Sequence, residues 1–190
     1  MHVEKVAKRA GQQLAILRKA RKLLSVQGLA TIFKTRVRSV MEYCGPIWQG
    51  APKVALSKLD TIQRKACRVM GINQDVAASL NMQSLTHRRQ ISGLCQIHRM
   101  ITNVAPSKVC ELLPAFSESV RNSRHVVQSH HLQLNVRRSK TEHHMKSFVP
   151  SISRCWNSLP NECIYGSDGN LKNLQSFKVA ANHWLLTISE

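Results

Sequence analysis

Apolar residues recur at three- and four-residue steps through most of the first hundred positions, which is the period of amphipathic helices. The run opens at Val3 and continues through Val6, Ala7, Ala10, Leu14 and Leu17. It predicts a first helix over about 3–27, with Gly28 placed to close it as a C′ glycine. No capping residue precedes Val3, so the start reads as internal to a longer protein and Met1 as an internal methionine. A second helix is expected over 30–43, burying Ile32, Phe33, Val37, Val40 and Met41, with Cys44-Gly45-Pro46 as its stop. Ile47 and Trp48 follow as a short apolar anchor before the Gly50-Ala51-Pro52 turn.

The third helix, 54–70, has the clearest pattern. At about 100° per residue, Leu56, Leu59, Ile62, Ala66, Val69 and Met70 share one side. Lys53, Lys58, Arg64, Lys65 and Arg68 gather on the opposite arc, so packing of the apolar side leaves the basic side outward. Gly71 ends this helix, and Ser84 caps a fourth reaching about 103, with Leu85, Ile91, Leu94, His98 and Ile101 in phase. Pro106 closes it, and 107–113 has room for one or two further turns before Pro114.

The pattern changes over 117–146, where Ser, His, Arg and Gln dominate and apolar residues alternate only at Leu132, Leu134 and Val136. A mobile connector with one short strand is expected there. Beyond it, 148–159 predicts a short helix with Pro150 in its first turn and Ile152 and Trp156 inward. Turns follow at 157–160 and 166–170, then a last helix over 171–187 burying Leu174, Phe177, Ala181, Trp184 and Leu185. The fold class is thus mainly α: a bundle of about four helices, a polar connector with at most one or two short strands, and a small C-terminal helical module. The corresponding domains are 1–113, 114–147 and 148–190.

Charge narrows the function. Against 28 Lys and Arg stand ten Asp and Glu, a formal net charge of +18 over 190 residues. Such a field favours polyanions, with counterion release from phosphates as the usual source of affinity. Residues 1–105 carry +14, residues 106–147 carry +4, and residues 148–190 are neutral. The candidate phosphate contacts are Arg18, Lys19, Arg21 and Lys22 in the first helix, Lys53, Lys58, Arg64, Lys65 and Arg68 in the third, and Arg137 and Arg138 in the connector. A solvated face is the ordinary meaning of a charge run. Here a single acid, Asp60 at i−4 from Arg64, is too little to make the third helix a salt-bridge ladder. Contacts of this kind position a nucleic acid without reading its sequence.

Other chemistry is sparse. The ten acids are scattered, with no adjacent pair to converge on Mg²⁺. Six cysteines, at 44, 67, 95, 110, 155 and 163, form no CxxC pair, and Cys67 and Cys95 read as buried hydrophobes. His130-His131 and His143-His144 lack companions at zinc spacing and read as an exposed polar linker. Trp48, Trp156 and Trp184 read as core residues, and Asn157 and Pro160 as setting the turn after Trp156. No apolar run suits a signal peptide or a spanning helix, so neither secretion nor membrane insertion is expected.

Three segments carry a resemblance. TIFKTRVRSVMEYCGPIWQG (31–50) resembles the stretch just after the polymerase core of non-LTR, LINE-type retrotransposon reverse transcriptases. LSKLDTIQRKACRVMGI (56–72) is similar to that family's helix of the form L-x-x-L-D-x-I-Q-R-x-A-x-R. SFVPSISRCWNSLP (147–160), with Phe177-Lys178 downstream, looks like its closing SF-x-P, WNxLP and FK signature. The three occur in the family's order and span nearly the whole chain, and jockey-like elements are the nearest in character. The family's aromatic-x-Asp-Asp motif is missing, Asp60, Asp75 and Asp168 match no catalytic motif, and neither the endonuclease region nor a terminal CCHC knuckle is present.

The resemblance therefore implies the thumb and tail that follow the palm of an RNA-directed DNA polymerase. Such a fragment would bind RNA or an RNA–DNA hybrid, pack on the missing palm, and work in a nuclear or cytoplasmic ribonucleoprotein. No catalytic residue and no small-molecule substrate is expected, and Mg²⁺ would serve only the parent polymerase. The alternative is a host-encoded, free-standing basic adaptor that docks another protein through the neutral C-terminal module. A self-sufficient enzyme is disfavoured by the missing carboxylates.

Overall fold

In the computed structural model the described residues are 2–117 and 130–188. They form helices joined by short turns, as expected of a mainly α chain. No strand occurs among them, only two isolated antiparallel bridges, Phe116–Leu134 and Tyr165–Leu171. The chain packs as two compact units, Met1–Arg89 and Gln90–Glu190.

In the first unit, helix α1 (His2–Ala20) buries Val3, Val6, Ala10, Leu14 and Leu17 along the stripe its periodicity predicts. It stops well short of residue 27 because Ser25 caps a new helix, α2 (Val26–Ile32). The Ser25 hydroxyl oxygen accepts the Gly28 N–H at 3.3 Å, satisfying an amide that the first turn leaves free. Gly28 thus lies inside a first turn and closes nothing.

From α2 the chain runs through a π-helical stretch, Phe33–Arg38, into α3 (Ser39–Glu42), where a single regular helix was expected. The hydroxyls of Thr31, Thr35 and Ser39 donate to the carbonyls of Gln27, Thr31 and Thr35 at 3.0, 2.9 and 2.5 Å. One hydroxyl per turn competes with an amide for its carbonyl and loosens the regular ladder. Phe33, Val37 and Met41 still point inward. Cys44 then turns the chain at a positive φ of 53°, and Gly45-Pro46 starts a single turn, α4 (Gly45–Trp48). Trp48 is buried and its indole N–H donates to the Tyr43 carbonyl at 3.0 Å. Ile47, expected beside it as an anchor, is 80% exposed.

Helix α5 (Lys53–Met70) buries Leu59, Ile62, Ala66 and Met70, and packs on α1 and α2. Gly71 ends it at φ 70°, with the Gly71 and Ile72 amides returning to the carbonyls of Arg68 and Cys67. After α6 (Gln74–Ser79), Ser84 caps α7 (Leu85–Ile101) by accepting the His87 N–H at 3.2 Å. The units divide inside α7. Leu85 joins the first core, whereas Ile91, Leu94, Ile97 and Met100 join the second. The first core is therefore built mainly by α1, the 26–42 segment and α5.

The second unit contains α8 (Ser107–Cys110), α9 (Glu142–Lys146), α10 (Phe148–Asn157), α11 (Asn161–Ile164) and α12 (Leu174–Thr187). Pro150 sits in the first turn of α10, and Ile152 and Trp156 are buried as predicted. α10 crosses α7 so closely that a Cβ on Gly93 would lie 2.6 Å from Ile152 Cδ1, so any larger residue there would force the Ile152 side chain to shift.

The alternating residues Leu132, Leu134 and Val136 do not build a strand ladder. On one edge the Gln133 carbonyl accepts the Ser117 N–H and the Asn135 N–H donates to the Ala115 carbonyl, both at 2.8 Å; on the other edge the partner is a pair of side chains. Asn157 Oδ1 accepts the Leu134 N–H and Asn157 Nδ2 donates to the Leu134 carbonyl, both at 2.8 Å. Trp156 Nε1 donates to the Leu132 carbonyl, also at 2.8 Å. Trp156 and Asn157 thus supply the donors and acceptors that a neighbouring strand would supply. Asn157 does more than form a turn. The remainder of the expected connector, 118–129, lies outside the described residues.

His130, expected in an exposed linker, is 5% exposed. Its Nε2 lies 2.9 Å from the Trp156 carbonyl, and its ring meets the Trp156 edge at 5.8 Å. His98 is held likewise, Nε2 at 2.9 Å from the Lys172 carbonyl and the ring stacked on Phe177 at 4.6 Å. A carbonyl only accepts, so each Nε2 carries the hydrogen, and each buried Nδ1 is without a partner. Burial lowers the pKa of both rings, and His131 adds repulsion at His130.

Two predictions follow from this unit. Asn157→Ala removes both bonds to Leu134 and should cost about 1–3 kcal/mol in urea unfolding, while leaving helix content unchanged by circular dichroism. The histidines give a pH dependence of fixed sign. Both titrate lower folded than unfolded, so stability is complete above about pH 6.5 and falls as pH drops below it, where the unfolded chain binds more protons. Thermal melts across pH 7.5 to 5 should show the fall. His98→Gln, which keeps a donor for the Lys172 carbonyl but does not titrate, should flatten it.

Candidate nucleic-acid interface

All eleven basic candidates are exposed: Arg18, Lys19, Arg21, Lys22, Lys53, Lys58, Arg64, Lys65, Arg68, Arg137 and Arg138. Nine belong to the first unit, whose sequence holds 17 basic and four acidic residues, a net of +13. Arg137 and Arg138 belong to the second unit, just past Leu134. Arg18 and Lys19 occupy the last turn of α1, where cations complement the helix dipole, and Arg21 and Lys22 lie in the turn that follows.

The basic arc of α5 is not uniform. At about 100° per residue, Lys58 and Lys65 lie about 20° apart on one flank. Lys58 fixes that flank against α1, because its Nζ donates to Glu4 Oε1 at 2.6 Å. Arg64 and Lys53 point about 100° or more away from Lys65, toward the side where Gln63 donates to the carbonyls of Met82 and Gln83. Arg68 lies between the two groups. Arg64 donates to its own Thr61 hydroxyl at 3.0 Å. Within α5 one acid, Asp60, stands at i−4 from Arg64, yet Arg64 donates to Thr61 and the charge of Asp60 acts on Arg89; Lys58 is compensated from across the helix pair. The Lys58 hydrogen bond and charge hold the Glu4 carboxyl below the usual range. Lys5, Lys8 and Arg9 extend the exposed basic face of α1. The helical period of α1 placed them there, and they belong with the candidates.

A second cluster escaped sequence reasoning altogether. Glu42 receives Arg88 through both Nε and a terminal nitrogen, the latter at 2.9 Å to Oε2, with Arg38 Nε at 3.8 Å. Arg38 also donates to the Asn81 carbonyl at 3.1 Å. Arg89 is buried, donates to the Thr86 hydroxyl at 3.0 Å and lies 6.0 Å over the Trp48 ring. Burial lowers the Arg89 pKa, and the charges of Asp60 and Glu42 oppose that shift. These groups staple the start of α7 to the α3–α4 corner. The i, i+4 spacing of Arg38 and Glu42 is legible in the sequence, but Arg88, 46 residues further on, is not.

Among the described residues no nucleophile or metal cluster assembles. Burial raises the thiol pKa of Cys67, Cys95 and Cys163 and pushes Cys155 up to about 11, so these four stay protonated and unreactive. Among the described residues no three His, Cys, Asp or Glu side chains converge as a metal site, and no helix is long and apolar enough to cross a membrane. Comparison with protein-family models, curated proteins and solved structures finds no match for this chain.

Glu42→Gln should test the staple. Losing the carboxylate leaves Arg88 and Arg38 half-buried without a counter-charge, and unfolding free energy should fall by about 1–3 kcal/mol. A change below a few tenths would show that solvent screens the cluster.

Proposed function

We propose that this chain is the post-palm, thumb and tail region of a non-LTR retrotransposon reverse transcriptase, and that it holds RNA or an RNA–DNA hybrid by its backbone. The observation that carries the reading is uncompensated charge on a packed helical surface. Glu4, Glu42 and Asp60 each face a basic group of the first unit, yet the unit keeps an excess of thirteen positive charges. Helices α1 and α5 bury their apolar stripes on one another, so the excess is displayed outward. Three motifs in the family's order add support from sequence.

The chain's own part is binding and positioning. Lysine and arginine heads on exposed helices meet phosphate oxygens, release counterions and leave base edges unread. Mg²⁺ and nucleotides belong to the palm of the parent enzyme. The acids here do not fit that role: Asp168 is tied to Asn170, and Asp60 faces Arg89. The fragment is accordingly assigned no polymerisation step.

Fluorescence anisotropy with a labelled RNA–DNA hybrid tests this. If several phosphates are neutralised, affinity should fall about a hundredfold or more between about 50 and 200 mM salt. Scrambling the sequence of the hybrid should leave it unchanged. Affinity that stays level with salt would overturn the assignment.

A further inference from the structure

We propose that a phosphodiester backbone lies along one seam of the first unit, between α1 and α5, with Glu4 competing against phosphate for Lys58. The inference rests on the nucleic-acid reading above and locates it. α5 meets α1 at Lys58–Glu4 and also packs on α2, which begins just beyond the C-terminal end of α1. From that contact both helices send their core residues C-terminally, Val6 to Leu17 in α1 and Leu59 to Met70 in α5, into one shared core, so they run alongside each other in the same direction. Steps of seven residues, about 10 Å, return to nearly the same line on each helix. On α5 that line passes through Lys58 and Lys65. On α1 it passes through Glu4, Gly11 and Arg18, with Lys8 exposed just outside it. The Glu4–Lys58 pair is the first rung; one seven-residue step along each helix sets Gly11 and Lys65 at the level of the second, and a further step sets Arg18 at the third.

Gly11 is the independent observation. It sits inside α1, where glycine weakens a helix, and such a glycine ordinarily has a packing reason. Gly93 has one in Ile152, but a Cβ built on Gly11 would meet nothing within 4 Å. Nothing within the fold requires glycine there. Its missing side chain leaves the helix backbone open on the line that faces Lys65, which suits close approach of another backbone. Among the described residues no carboxylate pairs with Lys65 or Arg18, whereas Glu4 holds Lys58 at 2.6 Å. The seam is therefore cationic, with a single acid at one end of it. Phosphate arriving at Lys58 must displace that acid.

Anisotropy titrations of the full chain with a labelled RNA–DNA hybrid, at about 0.1 M salt, separate the outcomes. Lys65→Gln and Arg18→Gln should each weaken binding about fivefold and lower the salt slope by about one. Glu4→Gln should tighten binding, because Lys58 is released. Gly11→Leu should weaken binding by filling the seam, while its thermal melt stays at or above that of the parent chain, since leucine favours helix. Lys65→Gln should cost several times more affinity than Arg64→Gln, its neighbour on the other flank. Equal losses at Arg64 and Lys65, or full binding by a stably folded Gly11→Leu, would overturn the seam and leave nonspecific nucleic-acid binding intact. Failure of the unaltered chain to bind the hybrid would instead overturn the functional assignment itself.

Discussion

The first unit depends on the burial of one apolar stripe against another, Val3, Val6, Ala10, Leu14 and Leu17 of α1 sharing a core with Leu59, Ile62, Ala66 and Met70 of α5. Fully burying a side chain of this kind stabilises by about 1.5–3 kcal/mol, more than any exposed charge pair supplies. The pairing therefore sets the rotation of both helices. Once it is set, the lysines and arginines between the apolar positions have nowhere to go but outward. The basic surface is a consequence of the core.

Acids are few, and the fold uses them against particular bases. Glu42 holds two arginines and ties the start of α7 to the corner near Trp48, and Glu4 joins α1 to α5. Asp168 stays local, receiving the backbone and side-chain amides of Asn170 at 3.1 and 3.0 Å. Acids spent this way cannot neutralise the outer face. The outer face of the first unit therefore keeps its positive excess.

The second unit solves a different problem. The segment around Leu134 is too polar to collapse by itself, yet Leu134 is buried. Trp156 and Asn157 make this possible by pairing with the backbone of Leu132 and Leu134. The same tryptophan meets His130 and Phe177, and Phe177 stacks on His98. Packing and hydrogen bonding are thus supplied by one short helix, α10. Its two neutral histidines make the core sensitive to acid.

Helix existence was legible in the sequence wherever the apolar period was long, and the core residues of α1, α5 and α10 were named correctly from it. Caps were legible when the residue type was distinctive, as at Gly71 and Ser84. Ser25 was passed over because the apolar period continued across it, and a local hydrogen bond decided the break. The π-helical stretch at Phe33–Arg38 was hidden for a related reason, since threonine is common in regular helices too. The exposure of Lys53, Lys58, Arg64, Lys65 and Arg68 also followed from pattern alone.

Long-range partners were not legible. A sequence fixes the period of each helix, and hence which side is basic, because that depends only on spacing along one element. It does not say which flank meets a neighbour, because that depends on how two elements rotate against each other. Only the tertiary structure could set Lys58 against Glu4 and Arg88 against Glu42. It alone buried His130, paired Asn157 with Leu134 and divided the two units inside α7. Each of these is a contact between residues distant in the chain, decided by the packing of whole elements.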